Sequence, residues 1–260
     1  MSNDEISGLR SVTRALRSLE LIGEAGELGV TELGRRLGVH KATASRLAAT
    51  LAGHGFVERD PATERYRLGF ALVALAGSAM SNLDLVRTAR PVLEGLAERS
   101  RETVNLGVMA GDAVVYLDQV TGTRSIVAVS WVGRRTPLHD TSNGKVLLAY
   151  ANEADAERIL SRPLERATPN TTCDPGELRE QLALVRDRGW AQTLEELEEG
   201  LNAVAAPVRD AEGTVIAALS VSGPAFRMPE VDLPRIAQNA VDAASAISQR
   251  LGFAQRRRTG

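Results

Sequence analysis

Apolar positions recur at helical spacing across residues 11–24, where Val12, Ala15, Leu16, Leu19 and Ile22 share one side, Ser11 is placed to cap the start and Gly26 lies near the end. After Thr31, a possible cap, a shorter run over residues 32–37 sets Leu33 and Leu37 on a common face, and Gly38 stops it. Residues 41–54 then carry Ala44, Leu47, Ala48 and Leu51 in one stripe that ends at Gly55. Two short helices separated by Gly38-Val39-His40 match a helix-turn-helix, whose tight turn sets the pair at a steep angle. Residues 56–59 and 66–68 read as strands around the turn-rich Asp60-Pro61-Ala62-Thr63-Glu64, which makes them a wing.

Residues 70–80 and 83–99 are helical in pattern, with Pro91 interrupting the second or starting a new segment. From residue 103 the period changes to that of strands: 103–109 and 113–120 flank Ala110-Gly111-Asp112, a hairpin signal. Further helices are expected over 143–151, 153–160, 175–188 and 231–251, and strands over 203–208 and 214–221. Strands and helices mix without a strict βαβ repeat, which is the α+β pattern. Two domains are expected in a chain of 260 residues. They are an N-terminal winged helix-turn-helix over residues 1–70, mainly α with a β-wing, and an α+β domain over 101–260, joined by linker helices over 71–100.

Composition narrows this picture. Hydrophobic residues at 43% and charged residues at 25% are ordinary for a globular protein with a core. A net charge of −2 argues against coating nucleic acid by bulk electrostatics, although residues 28–68 hold seven basic against four acidic side chains. The single Cys173 cannot form an internal disulfide, and no cationic segment followed by an apolar one opens the chain, so a cytoplasmic location is expected. The apolar stretch at 70–76 is far short of the roughly 20 residues that span a bilayer, so no membrane segment is expected. His40, His54 and His139 are scattered, and neither a metal nor a cofactor is called for.

The chemistry concentrates in two places. With the stripe of residues 41–54 turned inward, Lys41, Ala42, Thr43, Ser45, Arg46 and Ala49 face outward, short or basic side chains that let a helix enter a major groove and bond phosphates and base edges. Lys41, Thr43, Ser45 and Arg46 are the candidate DNA contacts, and Arg59 and Arg65 on the wing reach an adjacent phosphate or minor groove. Arg35 and Arg36 read as a solvated face, and Arg256, Arg257 and Arg258 as a solvated end.

In the second domain, Thr141-Ser142-Asn143-Gly144 opens an apolar helix whose free N–H groups favour an anion. Ser220 and Ser222 alternate with Leu219 and Val221, which puts both hydroxyls on one strand face. A carboxylate or another oxygen-rich ligand suits that combination. Lys145 follows Gly144, but the remaining glycine spacing of a phosphate-binding loop is absent. Glu195, Glu196, Glu198 and Glu199 read as a solvated turn. Asp118, His139 and Ser142 lack the nucleophile elbow of a hydrolase, and no acid, base or nucleophile stands in a preorganised constellation, so no catalytic residue is assigned. An enzyme using its helix-turn-helix only for dimerisation is the alternative reading. A DNA-binding architectural protein without a ligand would leave the second domain unexplained.

The chain resembles the IclR family of bacterial transcriptional regulators. The resemblance rests on "TELGRRLGVHKATASRLAATLAGHGFVERD" with "RYRLG", then "TPLHDTSNGK", then "EELEEGLNAVAAPVRDAEGTVIAALSVSGP", and covers nearly the whole chain. It implies a GAF-like effector-binding domain, double-stranded operator DNA and a small-molecule effector as partners, and a homodimer or dimer of dimers paired through the N-terminal halves. It also implies a pocket formed by Ser142 and Asn143 from the loop with Thr193, Leu201, Ala203, Ser220 and Ser222 from the strands. Family members often have an acidic residue where Thr193 stands and a cysteine where Ala203 stands, so this pocket is expected to be less acidic and slightly roomier.

Overall fold

A computed structural model describes residues 10–81, 84–123 and 130–253, and the arginines at 256–258 lie outside the described residues. The chain divides into two compact units, Met1–Asn82 and Leu83–Gly260. The first begins with α1 (Arg10–Ala25), whose Leu21 and Ile22 are buried while Val12 and Leu16 stay exposed, so its inner face is narrower than the sequence pattern implied. A two-residue strand, β1 (Glu27–Leu28), follows; it is too short for any periodicity to reveal. Then come α2 (Val30–Leu37), α3 (Lys41–Gly53) and the wing strands β2 (Val57–Arg59) and β3 (Tyr66–Leu68).

The three strands pair antiparallel in the order β1-β3-β2. Thr31 does not cap α2: the helix starts two residues before the expected run, at Val30, with Gly29 at the cap position and no side-chain cap bond. Gly38 closes α2 with φ of 65°, the left-handed conformation that glycine adopts without a Cβ clash. Leu33, Ala44, Ala48 and Leu51 meet Leu28, Val57 and Tyr66 in one small core. The helix α4 (Phe70–Ser81) completes this unit.

The second unit opens with α5 (Asp84–Ser100), which runs unbroken through Pro91. Leu85, Ala89, Leu93, Leu96 and Ala97 are buried in that unit's core, and this packing offsets the one hydrogen bond the proline removes. The helix is therefore part of the second unit's interior as well as a connector. Six strands follow: β4 (Thr103–Ala110), β5 (Ala113–Val120), β6 (Arg135–Pro137), β7 (Ala191–Leu194), β8 (Leu201–Arg209) and β9 (Val215–Pro224). They form one antiparallel sheet in the order β6-β5-β4-β9-β8-β7.

Alternation sorts the strand residues to two faces. Val104, Leu106, Val204, Ala206, Leu219 and Val221 turn toward α5 and the last helix, α9 (Leu233–Arg250). Val114, Tyr116, Ala205 and Ala218 turn toward the helices α6 (Ser142–Ala149), α7 (Glu153–Leu160) and α8 (Pro175–Arg188).

One buried ion pair ties that second helical layer together. Lys145, in α6, is 2% exposed, and its Nζ lies 2.5 Å from Glu196 Oε1, 2.7 Å from Glu196 Oε2 and 2.7 Å from Gln181 Oε1 in α8. Burial pulls the lysine pKa down while Glu196 opposes the shift. Glu196 thus departs from the solvated turn expected of its acidic run; only Glu198 and Glu199 of that run are exposed. A carboxylate can leave water when a cation and hydrogen-bond donors replace its hydration. Lys145→Met is expected to destabilise the second unit by about 3 to 5 kcal/mol because it strands a buried charge, and adding Glu196→Leu should recover most of that loss. Urea denaturation of the three proteins checks it; equal losses in the single and double variants would contradict the pairing.

Candidate functional site

In the first unit α3 presents an exposed face. His40 Nδ1 accepts from the Ala42 N–H at 3.4 Å and starts the helix. Ala44, Ala48 and Leu51 are buried, whereas Lys41, Ala42, Ser45, Arg46 and Ala49 are exposed and Thr43 is half-buried. Lys41 and Arg46 make no ion pair among the described residues.

The arginines of α2 and the wing are less free. Arg59 lies 2.7 Å from Glu64, Arg65 2.9 Å from Glu27 and Arg67 3.1 Å from Glu58. Arg35 and Arg36 both hold Glu32, whose carboxyl they pull well below the usual carboxylate range, to about 2. The wing loop is shaped by Asp60, whose Oδ1 accepts from the N–H groups of Ala62 and Thr63 at 2.7 and 3.2 Å. Those bonds lower its pKa.

The second unit contains a cavity of about 350 Å³ on the α6 side of the sheet. Thr141 caps α6, accepting from the Gly144 N–H at 3.1 Å, so the first N–H groups of this helix are left for another acceptor. A Cβ on Gly144 would come within 2.3 Å of the Leu138 carbonyl, so only glycine lets α6 begin this close to the preceding strand. Ser142, Thr193, Leu201, Ala203, Ser220 and Ser222 all line the cavity. Asn143 does not. It is 1% exposed, neither polar end of its amide has a partner, and it lies against Gly107 in β4, behind the wall it was expected to form.

Several lining residues carry no motif in the sequence. Tyr116 and Trp131 make an aromatic corner, with ring centroids 5.9 Å apart, and the Arg134 guanidinium stands 5.3 Å from the Trp131 ring. Burial pushes the Tyr116 phenol up to about 12, so it stays a neutral donor. Glu102 forms a two-point bridge to Arg227 at 2.6 and 2.9 Å, joining the end of α5 to the segment after β9. Asn105 sits in β4 between Val104 and Leu106, and its position in that alternation is the signal that marks a polar residue on the cavity face.

The supposed triad is dispersed into structural roles. Asp118 pairs with Arg90, and His139 Nε2 lies 2.8 Å from the Glu165 carbonyl. Among the described residues no cluster of three or more metal-binding side chains occurs, and no helix is long and apolar enough to cross a membrane.

Comparison with known proteins agrees in both units. Residues 11–61 match the IclR helix-turn-helix domain, and residues 77–249 match the family described as bacterial transcriptional regulator IclR C-terminal. The HTH-type transcriptional regulator KdgR of Dickeya chrysanthemi is 37% identical over 244 residues, which cover 94% of this chain and 80% of that protein. BhcR of Paracoccus denitrificans (strain Pd 1222), another HTH-type transcriptional regulator, is 37% identical over 258 residues, covering 99% of this chain and 92% of that one. Among solved structures, an IclR homolog from Microbacterium hydrocarbonoxydans in complex with 4-hydroxybenzoate superposes with a TM-score of 0.80 at 30% identity, covering 93% of this chain and 98% of that chain. With both units matched and these relatives aligned over 80% and 92% of their length, the chain belongs to the IclR family of bacterial transcriptional regulators.

Proposed function

We propose that α3 reads operator DNA through Lys41, Thr43, Ser45 and Arg46, and that the cavity beneath α6 holds a small carboxylate whose binding alters operator affinity. The chain is a DNA-binding transcriptional regulator with an effector-binding C-terminal domain, and its relatives are named regulators and repressors, not enzymes. The observation that supports the finer reading is that six of the seven side chains implied by the family resemblance, from α6, β7, β8 and β9, line one cavity. The carboxylate of 4-hydroxybenzoate in the Microbacterium homolog supports an anionic effector, and the free N–H groups at the start of α6 supply a place for it.

Arg59 and Arg65 are assigned to phosphate contact only after exchange of their glutamate partners, which makes them weaker contributors than Arg46. One α3 covers few base pairs, so the protein is read as a homodimer or dimer of dimers on a near-palindromic operator in the cytoplasm. Light scattering with an operator fragment selected from random DNA tests this; full affinity of a monomer for one asymmetric site would contradict it.

Lys41→Ala and Arg46→Ala are expected to weaken operator binding by about 1 to 3 kcal/mol each where they reach a base edge, with unchanged melting temperature. Gel-shift titration decides it, and unaltered affinity in both variants would remove α3 from the groove. The effector acts through differential affinity for two conformations, so deleting its contacts should remove the coupling and spare ligand-free DNA binding. Ser220→Ala with Ser222→Ala should therefore abolish a wild-type coupling of about 1 to 3 kcal/mol. The measurement is operator titration with and without the carboxylate that most raises the melting temperature; a full response in the double variant would place the effector elsewhere.

A further inference from the structure

The cavity floor is a grid of neutral polar side chains set by strand register. Thr193, Ala203, Ser222 and Thr103 stand in one row across β7, β8, β9 and β4. Two residues along, Ser220, Asn105 and Gln119 form a parallel row across β9, β4 and β5. Directly opposed residues and residues two apart face the same way, and all seven line the cavity.

Asn105 is 4% exposed. Its amide nitrogen donates to Ser222 Oγ at 3.4 Å, and its oxygen has no partner. Either orientation of the amide leaves one polar end open, and such buried unpaired groups are rare in native proteins. The hydroxyls of Ser142, Thr193 and Ser220 also lack hydrogen-bond partners among the described residues. Glu102, the buried carboxylate of the lining, is held at both oxygens by Arg227, while Arg134, also in the lining, makes no ion pair among the described residues.

The geometry points to a polyhydroxylated carboxylate as the effector, an aldonic-type acid of about four to six carbons, whose hydroxyl groups are read by Asn105, Ser220 and Ser222. This rests on reading the cavity as the effector site. A hydroxyl donates and accepts, and so do the serine, threonine and amide groups of the grid. A ligand with hydroxyls on successive carbons therefore pairs with both rows at once. A short oxo acid offers acceptors alone and leaves groups such as the Asn105 amide oxygen unpaired, and an aromatic ring lays an apolar face over them. Buried groups left unpaired in this way are what lets a hydroxyl-reading site reject analogues that lack the hydroxyl. The C–H side of the same chain has the Tyr116 and Trp131 corner to pack against.

Isothermal titration of the full chain with threonate, xylonate, gluconate and galactonate, set beside pyruvate, 4-hydroxybenzoate and neutral sorbitol, tests the assignment. At least one aldonate is expected to bind at least about tenfold more tightly than each of the three controls. Asn105→Leu should erase that preference. Ser220→Ala, a smaller change that guards against loss of folding, should weaken the aldonate more than pyruvate.

Pyruvate or 4-hydroxybenzoate binding as tightly as the best aldonate, with sensitivity to Ser220→Ala, would overturn the ligand class and leave the cavity as effector site. Sorbitol binding as tightly would overturn the carboxylate. Binding of any of these compounds unaffected by both substitutions, or no binding by any aldonate, would overturn the inference. The effector reading itself falls separately, if the carboxylate found by thermal shift keeps its full effect on operator binding in the Ser220→Ala, Ser222→Ala protein.

Discussion

Lys145 gives up nearly all of its hydration to reach Glu196, and the geometry of the second unit's cavity face depends on that exchange. A buried charge is tolerated only when its partner and the remaining hydrogen bonds replace water. Here the replacement draws on three segments. Lys145 lies one turn into α6, Gln181 in α8 supplies a third acceptor, and Glu196 lies in the turn after β7. That turn is held further by Thr168 and Thr171, whose hydroxyls donate to the carbonyls of Glu195 and Glu196 at 2.6 and 2.7 Å. Just beyond Glu196, Leu197 to Gly200 become cavity wall, and one turn before Lys145, Ser142 does the same. The ion pair therefore ties together the two segments that form these walls. Asp140, also buried beside this pair, has its carboxyl pushed up to about 6 by burial while His139 and Lys145 pull it down, a sign of how little water reaches the layer.

The sheet explains why this cavity lies on the α6 side. Toward α5 and α9 its residues are valines, leucines and alanines that close against two long helices. Toward α6 the same strands alternate to serine, threonine, asparagine and small residues. Gly107 and Gly223 allow close packing beside the cavity: a Cβ at Gly223 would meet Glu102, and one at Gly107 would meet Val114 and Asn143. The eight-residue α6 covers only part of that face. Polar alternation along β4 and β9 and the shortness of α6 thus produce a polar floor under a partial roof. The period-two pattern dictates both the sealed layer and the open one.

Much of this was legible in the sequence because long elements repeat their pattern. The stripe on α3, the hairpin at Gly111-Asp112, the helices α7 and α8, and the serines of β9 all stand where periodicity and caps put them. What escaped was short or non-local. The strands β1, β6 and β7 span two to four residues and exist through pairing with distant partners. Lys145 and Glu196 are 51 residues apart, so nothing local distinguishes a buried glutamate within an acidic run from its exposed neighbours. Asn143 was assigned to the cavity through the family resemblance, but the second residue of a helix turns away from the first by about 100°. Asn105 carried a readable sign, a polar residue at an inward position, without which the hydroxyl grid has no centre.

The first unit uses its charges differently, and this bears on how a protein with net charge −2 recognises DNA. Arg35, Arg36, Arg59, Arg65 and Arg67 are each matched by a glutamate on the same unit. Exposed pairs of this kind add little to stability, but they cancel the field that would draw the protein to any duplex. Lys41 and Arg46 remain uncancelled, both on the exposed face of α3 and separated by small residues that let the helix approach closely. On the proposed reading of α3 as the helix that enters the groove, arginines matched by glutamates on α2 and the wing lower sequence-independent affinity, the part that counterion release dominates, while leaving base-edge contacts intact. Discrimination depends on the difference between those two affinities, so on that reading the glutamates of the wing and of α2 contribute to specificity without touching a base.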